Sequence, residues 1–152
     1  MTYEKLNENL KIKWIENFNI SNEKYTQVSG YIFNEKNQLL IVGDGKNWTI
    51  PGGHPENNES MIETLIREVL EESSIELKEI SYLGAVEVVE NGETYYQMRY
   101  FGRVSNILDF IGEWETSERM FVDLDELHNY IKWSKGVTFN AQIESSKKLL
   151  DK

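Results

Sequence analysis

A chain of 152 residues is long enough for one domain with an ordinary buried core. Its formal net charge of −10, with Glu well in excess of Asp, argues against binding to nucleic acid polymers or anionic membranes. The absence of cysteine excludes disulfides and thiolate metal sites, and no run approaches the ~20 apolar residues of a membrane-spanning helix.

Residues 1–24 are polar, with apolar positions at Leu6, Leu10, Ile12, Trp14 and Ile15. They read as a short helix or strand, an N-terminal extension packed on a single domain of residues 25–152. They lack the continuous apolar stretch of a signal peptide, so the expected compartment is the cytoplasm. Tyr25 to Phe33 and Leu39 to Val42 are rich in β-formers and flank the turn Asn34 to Asn37, which predicts a hairpin. A short extended piece, Trp48 to Ile50, leads through Pro51 to Gly52-Gly53. A helix is predicted from Ser60, where Ser60 and Glu63 match a capping box. Its apolar stripe would be Ile62, Leu65, Ile66 and Val69, with Glu68, Glu71 and Glu72 on a neighbouring face. Ile80 to Val89 and Thr94 to Val104 are β patterns joined by the hairpin signal Asn91-Gly92. Met120 to Leu124 reads as a short strand and Asp125 to Ile131 as the start of a helix, capped by Asp123 or Asp125. Phe139 to Leu150 reads as a last helix, with Ala141, Glu144, Ser145 and Lys148 toward solvent. Trp14, Trp114 and Trp133 are expected to pack or to line a subunit contact, and His128 to lie on the surface. This order of elements predicts the α/β class: a mixed β-sheet with helices on both faces.

The chemistry concentrates in Gly52 to Ile75. On a helix, carboxylates at i, i+3 and i+4 point roughly the same way, so Glu68, Glu71 and Glu72 repel one another unless a cation lies between them. Hard divalent ions with oxygen ligands suit such a cluster.

The same stretch resembles the signature of the Nudix hydrolases, the MutT-like proteins. Gly53, five spacers, Glu59, seven spacers, Arg67-Glu68, an apolar residue, a spacer, Glu71-Glu72, a spacer and a closing apolar residue all fit, and Ser74 replaces the family's last Gly. The lead-in Trp48 to Gly53 is also similar, and the likeness covers roughly residues 25–150. The resemblance implies an α/β/α sandwich that hydrolyses a nucleoside diphosphate linked to another group, by water attack on phosphorus, with Mg²⁺ or Mn²⁺. The partner would then be a small nucleotide, the enzyme a monomer or homodimer. A catalytically silent nucleotide-binding module on the same fold is the alternative reading.

The resemblance also implies roles. Glu68, Glu71 and Glu72 would be metal ligands, joined by the Gly52 carbonyl. Arg67 would pair with Glu63 or Glu71 and orient the carboxylates, while Glu59 would hold the loop or a metal-bound water. The base that deprotonates water would be Glu71, Glu72 or a residue of the later loop Gly112 to Arg119, where Glu115 stands first as base or extra ligand and Glu118 second. Either strand face, Tyr96, Met98 and Tyr100 or Tyr95, Arg99 and Phe101, is a candidate to stack a base or meet a phosphate. Asn140 is a candidate base-reading residue, and His54 a candidate phosphate contact. Ser74, where helices often end on a left-handed Gly, puts the helix exit in question.

Overall fold

The computed structural model describes residues 2–112 and 115–151; Trp114 lies outside them. The strands are β1 (Glu4–Asn7), β2 (Leu10–Glu16), β3 (Tyr25–Phe33), β4 (Leu39–Gly43), β5 (Trp48–Thr49), β6 (Gly52–Gly53), β7 (Ile75–Glu90), β8 (Glu93–Ile107) and β9 (Glu118–Val122). The helices are α1 (Met61–Ser73) and α2 (Val137–Leu150). Among the described residues the strands join one sheet in the order β1-β2-β7-β8-β3-β4-β5, with β6 on β3 and β9 on β4. The β3–β8 pair is parallel and the other pairs are antiparallel, so the sheet is mixed.

The two helices lie on opposite faces. Leu65 and Val69 of α1 pack with Val28, Ile32, Met98 and Tyr100, while Phe139 and Ile143 of α2 pack with Trp14, Tyr31, Phe33 and Phe101. Alternation along β3 and β8 sends successive side chains to these two cores. The N-terminal segment forms a hairpin, and β2 runs antiparallel to β7 from Leu10 opposite Glu90 to Glu16 opposite Gly84. It therefore extends the sheet. The Glu4 carboxylate also accepts the Thr138 N–H at 2.9 Å, and so supplies the N-terminal cap that Gly136 cannot give α2.

Several expectations are corrected. Strand β7 begins at Ile75, before its predicted β pattern, and β8 continues past Val104 to Ile107, because irregularities between Glu76 and Leu77 and between Lys78 and Ser81 break the period of two there. The segment after Asp123 is a 3-10 helix, Leu124–Asn129, and Asp123 makes no side-chain cap. Ser145 is buried, accepting from the Trp14 indole at 3.2 Å and donating to Glu16 at 2.8 Å; a small hydroxyl with two partners can face a core. Half the predicted stripe of α1 is wrong: Ile62 and Ile66 are exposed, and the buried line is Thr64, Leu65, Val69, Glu72 and Ser73. Glu72 belongs to the packing face because its carboxylate has a backbone partner there. Hydrophobic periodicity cannot register that bond.

Candidate active site

Helix α1 is fixed at both ends. At its start the capping box forms as expected: Ser60 Oγ accepts the Glu63 N–H, and the Glu63 carboxylate accepts the Ser60 N–H. At its end Ser74 adopts the left-handed conformation (φ 58°, ψ 38°) that a Gly would take there, and its N–H donates to the Leu70 carbonyl. The exit predicted for a Gly is retained. The orphan carbonyls of the last turn are claimed by the later loop: Thr116 Oγ1 donates to Glu72 O at 2.5 Å and Arg119 Nη1 to Ser73 O at 2.7 Å. These bonds carry Glu115 over the acid face. Neither Thr116 nor Arg119 was legible as a site residue, because the bonds link positions more than forty residues apart.

Gly52 and Gly53 bring backbone against the carboxylates. The Gly52 N–H donates to Glu72 Oε1 at 2.7 Å. A Cβ on Gly53 would stand 2.5 Å from the Glu68 carboxyl carbon, so only Gly admits Glu68 in this position. Arg67 is the organising cation. It donates to Glu59 at 2.6 and 3.0 Å, to Glu68 at 2.7 Å, to Glu71 at 3.3 Å and to the His54 carbonyl at 3.1 Å. Of its two expected partners it takes Glu71; Glu63 is engaged in the capping box. Glu59 accepts from the Glu56 N–H, Thr64 Oγ1 and Arg67, tying the loop to the helix.

The electrostatics follow. The Arg67 hydrogen bond draws the Glu59 pKa down to about 2 and its own pKa up. Burial raises Glu68, against Arg67, with Glu71 and Glu115 adding repulsion. Burial pushes Glu72 up to about 7; Glu68, Glu115 and Glu71 repel its charge, and the Gly52 N–H offsets part of this. Four carboxylates thus feel one another in one place. Among the described residues no three acidic or histidine side chains converge closely enough to enclose an ion: Arg67 holds Glu68 and Glu71, and Gly52 holds Glu72. The donor set nevertheless fits a hard divalent cation, since every candidate ligand is oxygen and the cluster carries excess negative charge.

A cavity of about 400 Å³ opens from Gly52 and Glu72 and runs between the sheet and α2, reaching Tyr95, Gln97, Arg99 and Trp133. Arg99 therefore lines the same cavity as Glu72. Tyr96 does not: it stands on the other face of β8, stacked on Phe18 at 4.5 Å and donating to Glu87. Asn140 borders a separate depression and donates to the Gly136 carbonyl. His54 is exposed and bonds the Thr26 carbonyl through Nδ1. Met98 and Tyr100 are core. Trp133 packs edge-on against Phe139 at 4.8 Å but remains half exposed at the cavity.

The NUDIX domain model matches residues 24–141, most of the chain. The chain belongs to the Nudix family. The Bacillus subtilis pyrophosphohydrolase BsRppH superposes with a TM-score of 0.81 over 97% of both chains at 17% identity. The NUDIX domain of Shewanella oneidensis NrtR, solved in complex with ADP ribose, gives a TM-score of 0.65 over 88% of this chain and 94% of that one, also at 17% identity. At such identities these Nudix structures establish the fold alone. In sequence, the 8-oxo-dGDP phosphatase NUDT18 of Danio rerio is 39% identical over 61 residues, 37% of this chain and 19% of that protein. The match thus spans about a fifth of that relative's length. The Nudix box, Gly53 to Ile75, coincides with the loop and helix that carry the acid cluster.

Proposed function

We propose that the protein is a divalent-metal-dependent hydrolase that cleaves a phosphoanhydride bond in a small nucleotide. The observation that carries this reading is the burial of Glu72 beside Glu68 under a Gly-Gly loop, at the edge of a cavity of about 400 Å³. An acid cluster of this kind is unfavourable by itself and becomes useful when a cation and a phosphate occupy it together.

Glu68, Glu71 and Glu72, with the Gly52 carbonyl, would hold Mg²⁺ or Mn²⁺, which supplies Lewis-acid polarisation of the phosphoryl oxygens when bound. Arg67 fixes Glu68 and Glu71 and ties them to Glu59 and the loop, so the carboxylates keep their spacing. Glu115 takes the proton of the attacking water. It is exposed, reaches Glu68 and Glu72 electrostatically, and is carried by a loop bonded to the end of α1. Arg99 meets the organic end of the nucleotide.

A panel of nucleoside di- and triphosphates, nucleotide sugars and dinucleotides with Mg²⁺ or Mn²⁺ tests this. Turnover of at least one member is expected, with loss of about 100-fold or more in Glu72→Gln and Glu115→Gln at unchanged fold. Tight nucleotide binding without turnover across the panel would instead identify a silent binding module. Full activity in Glu72→Gln would remove the metal-site assignment.

A further inference from the structure

Arg99 is 9% exposed, yet among the described residues it makes no ion pair. In a chain of net charge −10 that is unusual, since a buried cation without a carboxylate is costly. Its partners are neutral oxygens: Gln142 Oε1 at 3.1 Å, Gln27 Oε1 at 2.9 Å, Gln97 Oε1 at 3.1 Å and the Met98 carbonyl at 3.2 Å. The carboxylates on the cavity walls are engaged elsewhere. Glu72 belongs to the cation end, Glu4 accepts from Thr138, and Glu90 accepts from the Tyr95 hydroxyl.

A guanidinium has no acceptor, so each glutamine must turn its oxygen to Arg99 and its NH₂ group away. Gln142 spends its NH₂ on the Thr138 carbonyl. The NH₂ groups of Gln27 and Gln97 have no acceptor among the described residues, and one N–H on Arg99 Nη2 is also left over. Gln27 and Gln97 are directly paired in the β3–β8 register, next to the pair Ser29 and Arg99. This part of the wall therefore offers free N–H groups and a positive charge, with the amide oxygens turned back toward the guanidinium.

Its position separates it from the cation site. Arg99, Ser29 and Gly52 lie in one row across β8, β3 and β6, two strand spacings or about 10 Å. The glutamine pair is two residues further along the strands, about 7 Å more. A nucleotide whose phosphates sit at Gly52 and Glu72 would bring its base to the glutamines, beside Tyr95 and Trp133.

We propose that Gln27, Gln97 and Arg99 form a donor-rich wall that selects a keto-purine base, hypoxanthine or guanine, over adenine. A keto-purine presents O6 and N7, both acceptors, along one edge. Adenine presents N7 and an amino donor, which would leave a protein donor facing another donor. The proposal rests on the nucleotide reading above.

The test is kcat/KM for inosine, guanosine and adenosine triphosphates and for tripolyphosphate, with Mg²⁺. A preference of at least tenfold for inosine and guanosine over adenosine is expected. Gln97→Glu, which turns a donor into an acceptor and neutralises Arg99, should collapse that preference, and Gln97→Leu should reduce it without adding charge; thermal melts establish that each is folded. No base preference in the wild type, or a preference that survives both substitutions, would overturn the proposal. So would an equal loss on tripolyphosphate, which has no base and would mark the wall as a phosphate contact. If no compound is turned over, the hydrolase reading fails separately. Calorimetric titration with inosine and adenosine diphosphates then decides the wall: tighter inosine binding supports it and equal binding refutes it.

Discussion

The Thr116 hydroxyl donates to the backbone carbonyl of Glu72 at 2.5 Å, so the loop that delivers Glu115 is fastened to the same residue whose side chain faces the proposed cation site. Thr116 is buried, and its bond satisfies a carbonyl that the helix end leaves without an internal partner. Thr116→Val keeps the shape and removes the donor. Stability should fall by about 1–2 kcal/mol in denaturant titration. With Glu115 as the proposed base, kcat should fall at least tenfold with little change in KM, because the loop would position that base without binding substrate. In a double-mutant cycle Thr116→Val should add almost nothing to Glu115→Gln. Full additivity would show that the loop bond and the base act independently.

The pKa of Glu72 predicts a pH-dependent stability in the metal-free protein. Its folded value of about 7 lies above the ordinary carboxylate value of 4.5. The folded state therefore holds the proton that the unfolded state releases between those pH values, and stability from this group falls as pH rises from about 4.5 to 7. The full span corresponds to about 3 kcal/mol. In chelator, melting temperature should decline over that range, and Glu72→Gln should flatten the decline while keeping the Gly52 bond through its amide oxygen. Added Mg²⁺ should restore the wild type above pH 7 and leave Glu72→Gln almost unchanged. Stabilisation of both proteins alike would place the cation elsewhere.

Arg67 acts through geometry that lysine cannot reproduce. Its fork spans Glu59, Glu68, Glu71 and the His54 carbonyl at once, and a single ammonium cannot. Arg67→Lys should raise the Mg²⁺ concentration for half-maximal activity about 10- to 100-fold. The fold should survive, because the pairs are partly exposed and individually weak. A metal requirement equal to that of the wild type would reduce Arg67 to a surface charge.

Ser74 holds a left-handed conformation that a β-carbon disfavours, and its hydroxyl accepts the Ile111 N–H at a long 3.3 Å. Ser74→Gly should relieve the strain and lose only that weak bond. The expected result is a net gain of about 0.5–1 kcal/mol in thermal or denaturant unfolding, with kcat unchanged. A loss of stability would show that the Ile111 contact outweighs the strain.

By itself the sequence determined the local devices. The capping box, the Asn91-Gly92 turn, the spacing of Glu68, Glu71 and Glu72, the Gly-Gly approach and the alternating strands each follow from the preferences of neighbouring residues, and each stands in the structure. The family followed from the same spacing. Tertiary structure decided what depends on partners distant in the chain. Glu72 is a buried carboxylate because Gly52 is bonded to it, Glu115 reaches the acid face because Thr116 and Arg119 fasten its loop, and Glu4 caps α2 across the sheet. The placement of Arg99 in the cavity and of Tyr96 outside it depends on which face of β8 covers α1 and which covers α2. A strand pattern of period two names both faces but does not say which lines the cavity; only the packing of the two helices against opposite sides settles that.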